Sequence, residues 1–154
     1  MISQLSFFVE GEPVAKQSFR YSRRGSFTPA RVKAWQGDVS LCAQLAMRQE
    51  GELEPMEGNL SVDLTFFLGN ARRTDLDNLS KAILDAMNGV AWLDDKQVIR
   101  LTIHKFVCRE RQGVVVHVEP NPWPTETSLS LMNAMIGHPE SLSRLGWVLS
   151  EVSA

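Results

Sequence analysis

The chain has 154 residues, 44% of them hydrophobic and 22% charged, a balance that fits one folded domain with a sizeable core and excludes a disordered or low-complexity chain. No apolar run is long enough to cross a bilayer, and the first residues lack the basic start and apolar core of a signal peptide, so the expected location is cytoplasmic and no membrane partner is expected. The net charge of -2 argues against a polyanionic partner only until its distribution is read. Residues 1–33 carry Lys16, Arg20, Arg23, Arg24, Arg31 and Lys33 against Glu10 and Glu12, which puts a positive local field at the start of the chain.

Residues 4–9 (QLSFFV) predict an opening strand, closed by the turn signal Gly11-Glu12-Pro13. From Lys16 to Phe27 basic residues mix with Phe19, Tyr21 and Phe27, and Gly25-Ser26 marks a turn, so a surface loop or irregular hairpin is expected. Thr28-Pro29 reads as an N-cap and a first helical position; Val32, Trp35, Val39, Cys42 and Ala46 then mark the buried stripe of a helix reaching about Gln49. A polar linker over 50–59 precedes Leu60, Val62, Leu64, Phe66 and Leu68, which alternate with more polar residues as a strand. Leu76, Leu79, Ile83 and Met87 recur at spacings of three and four, predicting an amphipathic helix from near Asp77 to Asn88-Gly89. A long strand over 97–108, a turn and a strand over 114–119 follow, with the last two strands expected to pair as a hairpin.

This order predicts an α+β domain of two layers, a mixed sheet with packed helices, over residues 1–119. Pro120-Asn-Pro-Trp-Pro124 breaks regular structure, and 120–154 reads as a C-terminal helical appendage: Leu129, Met132, Met135 and Ile136 suggest one short helix, and Leu142, Leu145 and Leu149 another. Cys42 and Cys108 lack a C-x-x-C partner and read as reduced, core-facing thiols. His104, His117 and His138 form no zinc or nuclease motif, and with no GxxxxGK[ST] run no nucleotide cofactor is implied.

The stretch with chemistry in it is Arg72 to Asp95, RRTDLDNLSKAILDAMNGVAWLDD. Asp75 and Asp77 would diverge inside a helix and point the same way in an extended segment, so the useful geometry is a helix beginning around Asn78 with Asp77 at its cap. Lys81 lies four positions on and can reach back toward the same site, Asp85 continues the series as a supporting salt-bridge partner of Lys81, and Asp95, or less readily Asp94, can enter from the loop before the long strand. Two readings stand side by side on these residues alone. In one, Asp77 caps a helix, pairs with Lys81 on the surface, and Asp94-Asp95 is a solvated turn. In the other, the carboxylates hold an oxygen-seeking cation such as Mg²⁺ or Mn²⁺, and Lys81 offsets charge on a reacting phosphoryl group.

The runs RRTDLDNLSK (Arg72 to Lys81) and WLDDKQV (Trp92 to Val98) resemble the RusA family of Holliday junction resolvases, and Gly11 to Lys16 (GEPVAK) resembles that family's early glycine, proline and basic residues. The resemblance implies that Asp75, Asp77 and Asp95 are metal-binding catalytic acids, that Lys81 is the essential lysine, and that Asn78 shapes the site. It further implies a Mg²⁺-dependent endodeoxyribonuclease that acts as a homodimer, introducing paired nicks into four-way branched DNA in recombination and repair. Lys16, Arg20, Arg23, Arg24, Arg72 and Arg73 are the candidate phosphate contacts, and Phe19 or Tyr21 a candidate stacking platform. Two other functions fit the same charges: a noncatalytic junction-binding protein, and a general adaptor whose acidic and basic clusters are surface features.

Overall fold

The computed structural model describes residues 4–16, 20–22, 25–70 and 75–121. The chain divides into two units, Met1–Asn121 and Pro122–Ala154; the fold described here is that of the first, and the short helices expected in the tail, with His138, lie outside the described residues. In chain order the elements are β1 (Leu5–Glu10), β2 (Arg20–Ser22), β3 (Gly25–Phe27), α1 (Ala30–Gln49), β4 (Leu60–Leu68), α2 (Leu76–Met87), a 3-10 turn (Asp95–Gln97), β5 (Val98–Val107) and β6 (Gly113–Pro120). The expected irregular hairpin between Lys16 and Phe27 is the β2–β3 pair, with Arg20 opposite Phe27. Among the described residues no helix is long and apolar enough to cross a membrane.

The main sheet has the order β1-β6-β4-β5, with β4 and β5 parallel and the other pairs antiparallel. It is therefore a mixed sheet, as the element order led us to expect. The expected hairpin between the last two strands does not form, because β4 lies between them. Val62, Leu64, Phe66 and Leu68 of β4 are at most 4% exposed, and the most apolar strand gains most from a central place with neighbours on both sides. The link from β5 to β6 crosses the end of β4 and is pinned there: Cys108 N–H donates to Leu68 C=O (2.9 Å), Gly69 N–H to Gln112 Oε1 (3.0 Å) and Gly11 N–H to Gln112 C=O (3.0 Å).

One face of this sheet carries Leu5, Val9, Val114, Val116 and Val118 beside the β4 residues, all buried. Both helices add to the same core, with Trp35, Val39 and Ala43 from α1 and Leu79, Ala82, Ile83 and Met87 from α2. Helix α1 begins at Ala30 with Pro29 rather than Thr28 at its N-cap. Its stripe runs on to Ala43 and Met47, which are buried where the expected Cys42 is half-buried, since a period of 3.6 drifts off any strict three-and-four count over a helix this long. Both cysteines are free, and burial first, then Asp38, pushes the Cys42 thiol up. Ser40 Oγ and Gln36 Nε2 of α1 donate to the Ala86 and Ala82 carbonyls of α2 (2.6 and 3.3 Å), fixing how the helices lie on each other.

Gly113 opens β6 opposite Glu10, the last residue of β1. A Cβ there would stand 2.3 Å from the Val9 carbonyl oxygen and 2.5 Å from the Phe8 ring, which itself lies under the Arg111 guanidinium (4.7 Å to the ring centroid). Replacing Gly113 with alanine is therefore expected to lower stability by about 1–3 kcal/mol, the scale of overpacking, read as a reduced urea midpoint with an unchanged m value.

Candidate active site

Helix α2 starts at Leu76, so Asp75 and not Asp77 is its N-cap (φ -77°, ψ 134°), and Asp77 lies in the first turn. The helix begins earlier than its acids suggested because Leu76 opens the same stripe as Leu79 and Ile83, and the Leu79 N–H already closes on the Asp75 carbonyl (3.1 Å). The two carboxylates thus do not share an extended segment. An aspartate at an N-cap ordinarily accepts a hydrogen bond from the backbone two or three residues on. Asp75 makes no such side-chain bond. Both Asp75 and Asp77 are exposed, and neither carboxylate has a hydrogen bond or ion pair among the described residues. Asn78, the next residue, uses its carbonyl to accept the Lys16 N–H (2.9 Å).

Lys81 stands one turn beyond Asp77, exposed, and its ammonium has no partner among the described residues. The partner expected for it, Asp85, is taken by another residue. Lys16, in the segment between β1 and β2, pairs with Asp85, with both side chains mostly withdrawn from solvent.

The second acid pair separates into different duties. Asp94 accepts the Lys96 N–H (2.9 Å) and forms a reciprocal capping box with Gln97, whose amide also ties the turn to the Met56 and Gly58 carbonyls (2.9 and 3.0 Å). The Lys96 backbone bond, assisted by the charge of Lys96, holds the Asp94 carboxyl below the usual range. Its capping is therefore complete above the ordinary carboxylate pKa and fades as pH falls through the lowered one. Asp95 is exposed at the start of the 3-10 turn. Trp92 joins this turn to Asn88 at the end of α2 and to Met56 ahead of β4, so Asp95 belongs to the end where β4 and β5 begin. Asp75 and Asp77 belong to the opposite end, separated from it by the helix, about 18 Å for its 12 residues. Among the described residues no three histidine, cysteine, aspartate or glutamate side chains come together as a metal-holding group. Asp75, Asp77 and Lys81 all lie at the N-terminal end of α2, with Asp77 and Lys81 one turn apart, and Asp95 lies beyond its other end.

A family model described as endodeoxyribonuclease RusA matches residues 10–119, a span that runs from the end of β1 to the end of β6 and takes in every acid named above. The chain belongs to the RusA family. It is similar to the crossover junction endodeoxyribonuclease RusA of Aquifex aeolicus, 26% identical over 123 residues that cover 77% of this chain and 94% of that protein. The proteins of the same name from Escherichia coli K12 and from Enterobacteria phage 82 are 30% and 28% identical over 95 residues, 61% of this chain and 76% of theirs. This RusA-family chain is accordingly an endodeoxyribonuclease.

The candidate DNA contacts of the RusA-family chain fall in several places. Arg20 and Tyr21 lie on β2, while Phe19, Arg23, Arg24, Arg72 and Arg73 lie outside the described residues. Lys16 is engaged by Asp85. One basic residue that sequence reading took for part of a turn, Arg109, lines an open cleft of about 510 Å³ with Gly69, Asn70 and Val107. The cleft opens at the carboxyl ends of the parallel strands β4 and β5, where the chain leaves for Asp75. A lone arginine between two strands carries no pattern that would single it out.

Proposed function

We propose that this chain is a Mg²⁺- or Mn²⁺-dependent resolvase that cuts four-way DNA junctions by paired nicks, acting as a homodimer in the cytoplasm during recombination and repair. The observation that carries this reading is the pair of carboxylates, Asp75 and Asp77, at the cap and first turn of α2 with the Lys81 ammonium one turn on, none of the three bonded to another side chain among the described residues. A donor set made of carboxylate oxygens fits a hard divalent cation rather than a thiolate- or imidazole-seeking one. Asp75 and Asp77 would hold the ion, joined by Asp95, and the ion would supply a water of lowered pKa for attack on a phosphodiester. Lys81 offsets the charge that gathers on the phosphoryl oxygens or the departing oxygen. Arg20, Arg23, Arg24, Arg72, Arg73 and Arg109 attract the backbone without reading sequence.

The position of Asp95 supports the dimer. Strand β5 is an edge of the sheet, with Ile99, Leu101, Phe106 and Val107 between 38% and 62% exposed, and such an edge is a template for pairing with another strand. Antiparallel pairing of β5 with its own copy is two-fold symmetric and sets the start of one β5 beside the end of the other. Because Val107 is paired with Leu68, that end is the one from which the chain runs to Asp75. A second copy thus presents its Asp95 at the end that holds Asp75 and Asp77, and two such sites match the two opposed strands of a junction.

An immobile four-way junction and a linear duplex of the same sequence test the reading, each with Mg²⁺ and with excess chelator. Paired incisions in the junction alone, lost on chelation and lost in Asp77→Asn, are the expected result. Tight junction binding with no scission in either metal would replace it with the noncatalytic reading.

A further inference from the structure

The Lys16–Asp85 pair does more than join two elements. Asp85 is four residues after Lys81 on α2, where an aspartate and a lysine face each other across one turn, yet the structure gives Asp85 to Lys16 and leaves the Lys81 ammonium exposed and unpaired among the described residues. The Lys16 side chain is 19% exposed and that of Asp85 28%, so solvent and salt screen their pair less than a fully exposed one. The Lys16 backbone is fixed independently, by its N–H on the Asn78 carbonyl (2.9 Å) one turn from Asp75. The Lys16 ammonium therefore arrives beside α2 already oriented, and occupies the carboxylate that would otherwise hold Lys81.

We propose that Lys16 is a positioning residue for cleavage: by engaging Asp85 it keeps that carboxylate away from Lys81, and so keeps the Lys81 ammonium available to the reacting phosphate. The inference rests on the assignment of Lys81 as the group that offsets phosphoryl charge. Without Lys16, a half-buried carboxylate that has lost its cation stands one helical turn from Lys81, and Lys81 turns away from the cleaved bond. The role is distinct from a phosphate contact, which would act on affinity and on its salt dependence, and from a plain tether, which Asp85 would share equally with Lys16.

Single-turnover nicking of a four-way junction in Mg²⁺ by Lys16→Met, Asp85→Asn and the double variant separates these roles. Lys16→Met is expected to lower the rate constant at saturating enzyme by about fivefold, somewhat beyond the roughly twofold bias of an exposed pair at this spacing, with the salt dependence of junction binding unchanged. Asp85→Asn stays near wild type, and adding it to Lys16→Met restores the rate. Acetylation of Lys81 by an amine reagent, followed by mass spectrometry, gives a readout apart from activity: slower in Lys16→Met, recovered in the double variant. If Asp85→Asn is as slow as Lys16→Met and the double no faster, the pair is a tether and the inference is overturned. If Lys16→Met weakens binding and flattens its salt dependence at an unchanged rate constant, Lys16 is a phosphate contact and the inference is again overturned. Lys81→Met serves as the control for the underlying assignment: wild-type nicking in that variant removes both, whereas a dead Lys81→Met beside a fully active Lys16→Met removes the inference alone.

Discussion

Asp77→Asn and Asp95→Asn, each inactive when assayed by itself, are expected to recover junction nicking when mixed and allowed to exchange subunits. The argument is positional. Within one chain the two residues lie at opposite ends of α2 and of the parallel pair β4–β5, so a site that uses both must draw Asp95 from a second copy. In a mixed dimer one site then combines the damaged Asp77 with the damaged Asp95, and the other combines two intact acids. Each variant alone should fall by about a hundredfold or more, the scale of losing one preorganised charge contact in a transition state. A one-to-one mixture places intact sites in about a quarter of positions if exchange is random. The product is informative as well, because a dimer with one working site leaves a single nick where wild type leaves two. A mixture no more active than its parents would place Asp95 either in its own chain's site or outside the reaction, and would remove the support that its position lends to the dimer.

What the sequence made readable, and what it hid, follows from the range of the interactions involved. The period-2 alternation of β4 and the three-and-four spacing of α2 report which face of an element is buried, and both elements form where they were expected. Strand order is a different quantity. Two strands joined by a short turn read as a hairpin, and nothing local to 97–119 says that β4 separates them; that is decided by which strand gains most from the centre. The candidate acids were visible as residues but not as a geometry. Asp75 and Asp95 are close in sequence, and the helix between them carries them to opposite ends of the fold. Lys16 and Asp85 show the converse, 69 positions apart and joined in space, so the local spacing rule assigned Asp85 to Lys81 when a distant residue had the better-oriented cation. Arg109 became a candidate only once the strand ends had formed a cleft around it.

Trp92→Ala is expected to be the most damaging single change to the fold, lowering stability by about 3–5 kcal/mol. In the sequence Trp92 is conspicuous only as the first letter of the acid-bearing turn. The structure makes it a core residue: it is fully buried, the largest such side chain among the described residues, and its indole N–H donates to Asn88 Oδ1 (2.7 Å). It also bridges Asn88 at the end of α2 and Met56 ahead of β4, while its carbonyl accepts the Gly89 N–H (2.7 Å). Truncation would therefore leave a cavity at the point where helix, turn and strand meet, and an amide that has lost its donor. The expected readout is a urea midpoint lowered at constant m, with a thermal midpoint down by roughly 10–20 °C for a unit of this size. Trp92→Phe keeps most of the volume and loses the hydrogen bond, so it should cost markedly less, about 1–2 kcal/mol. The functional consequence is distinct from that of the acids. Asp94, Asp95 and Gln97 are held by the turn that Trp92 anchors, so nicking by Trp92→Ala should fail at temperatures where the turn has loosened and return on cooling. Asp77→Asn stays inactive at every temperature. A Trp92→Ala protein as stable as wild type but inactive throughout would instead assign the indole to the chemistry.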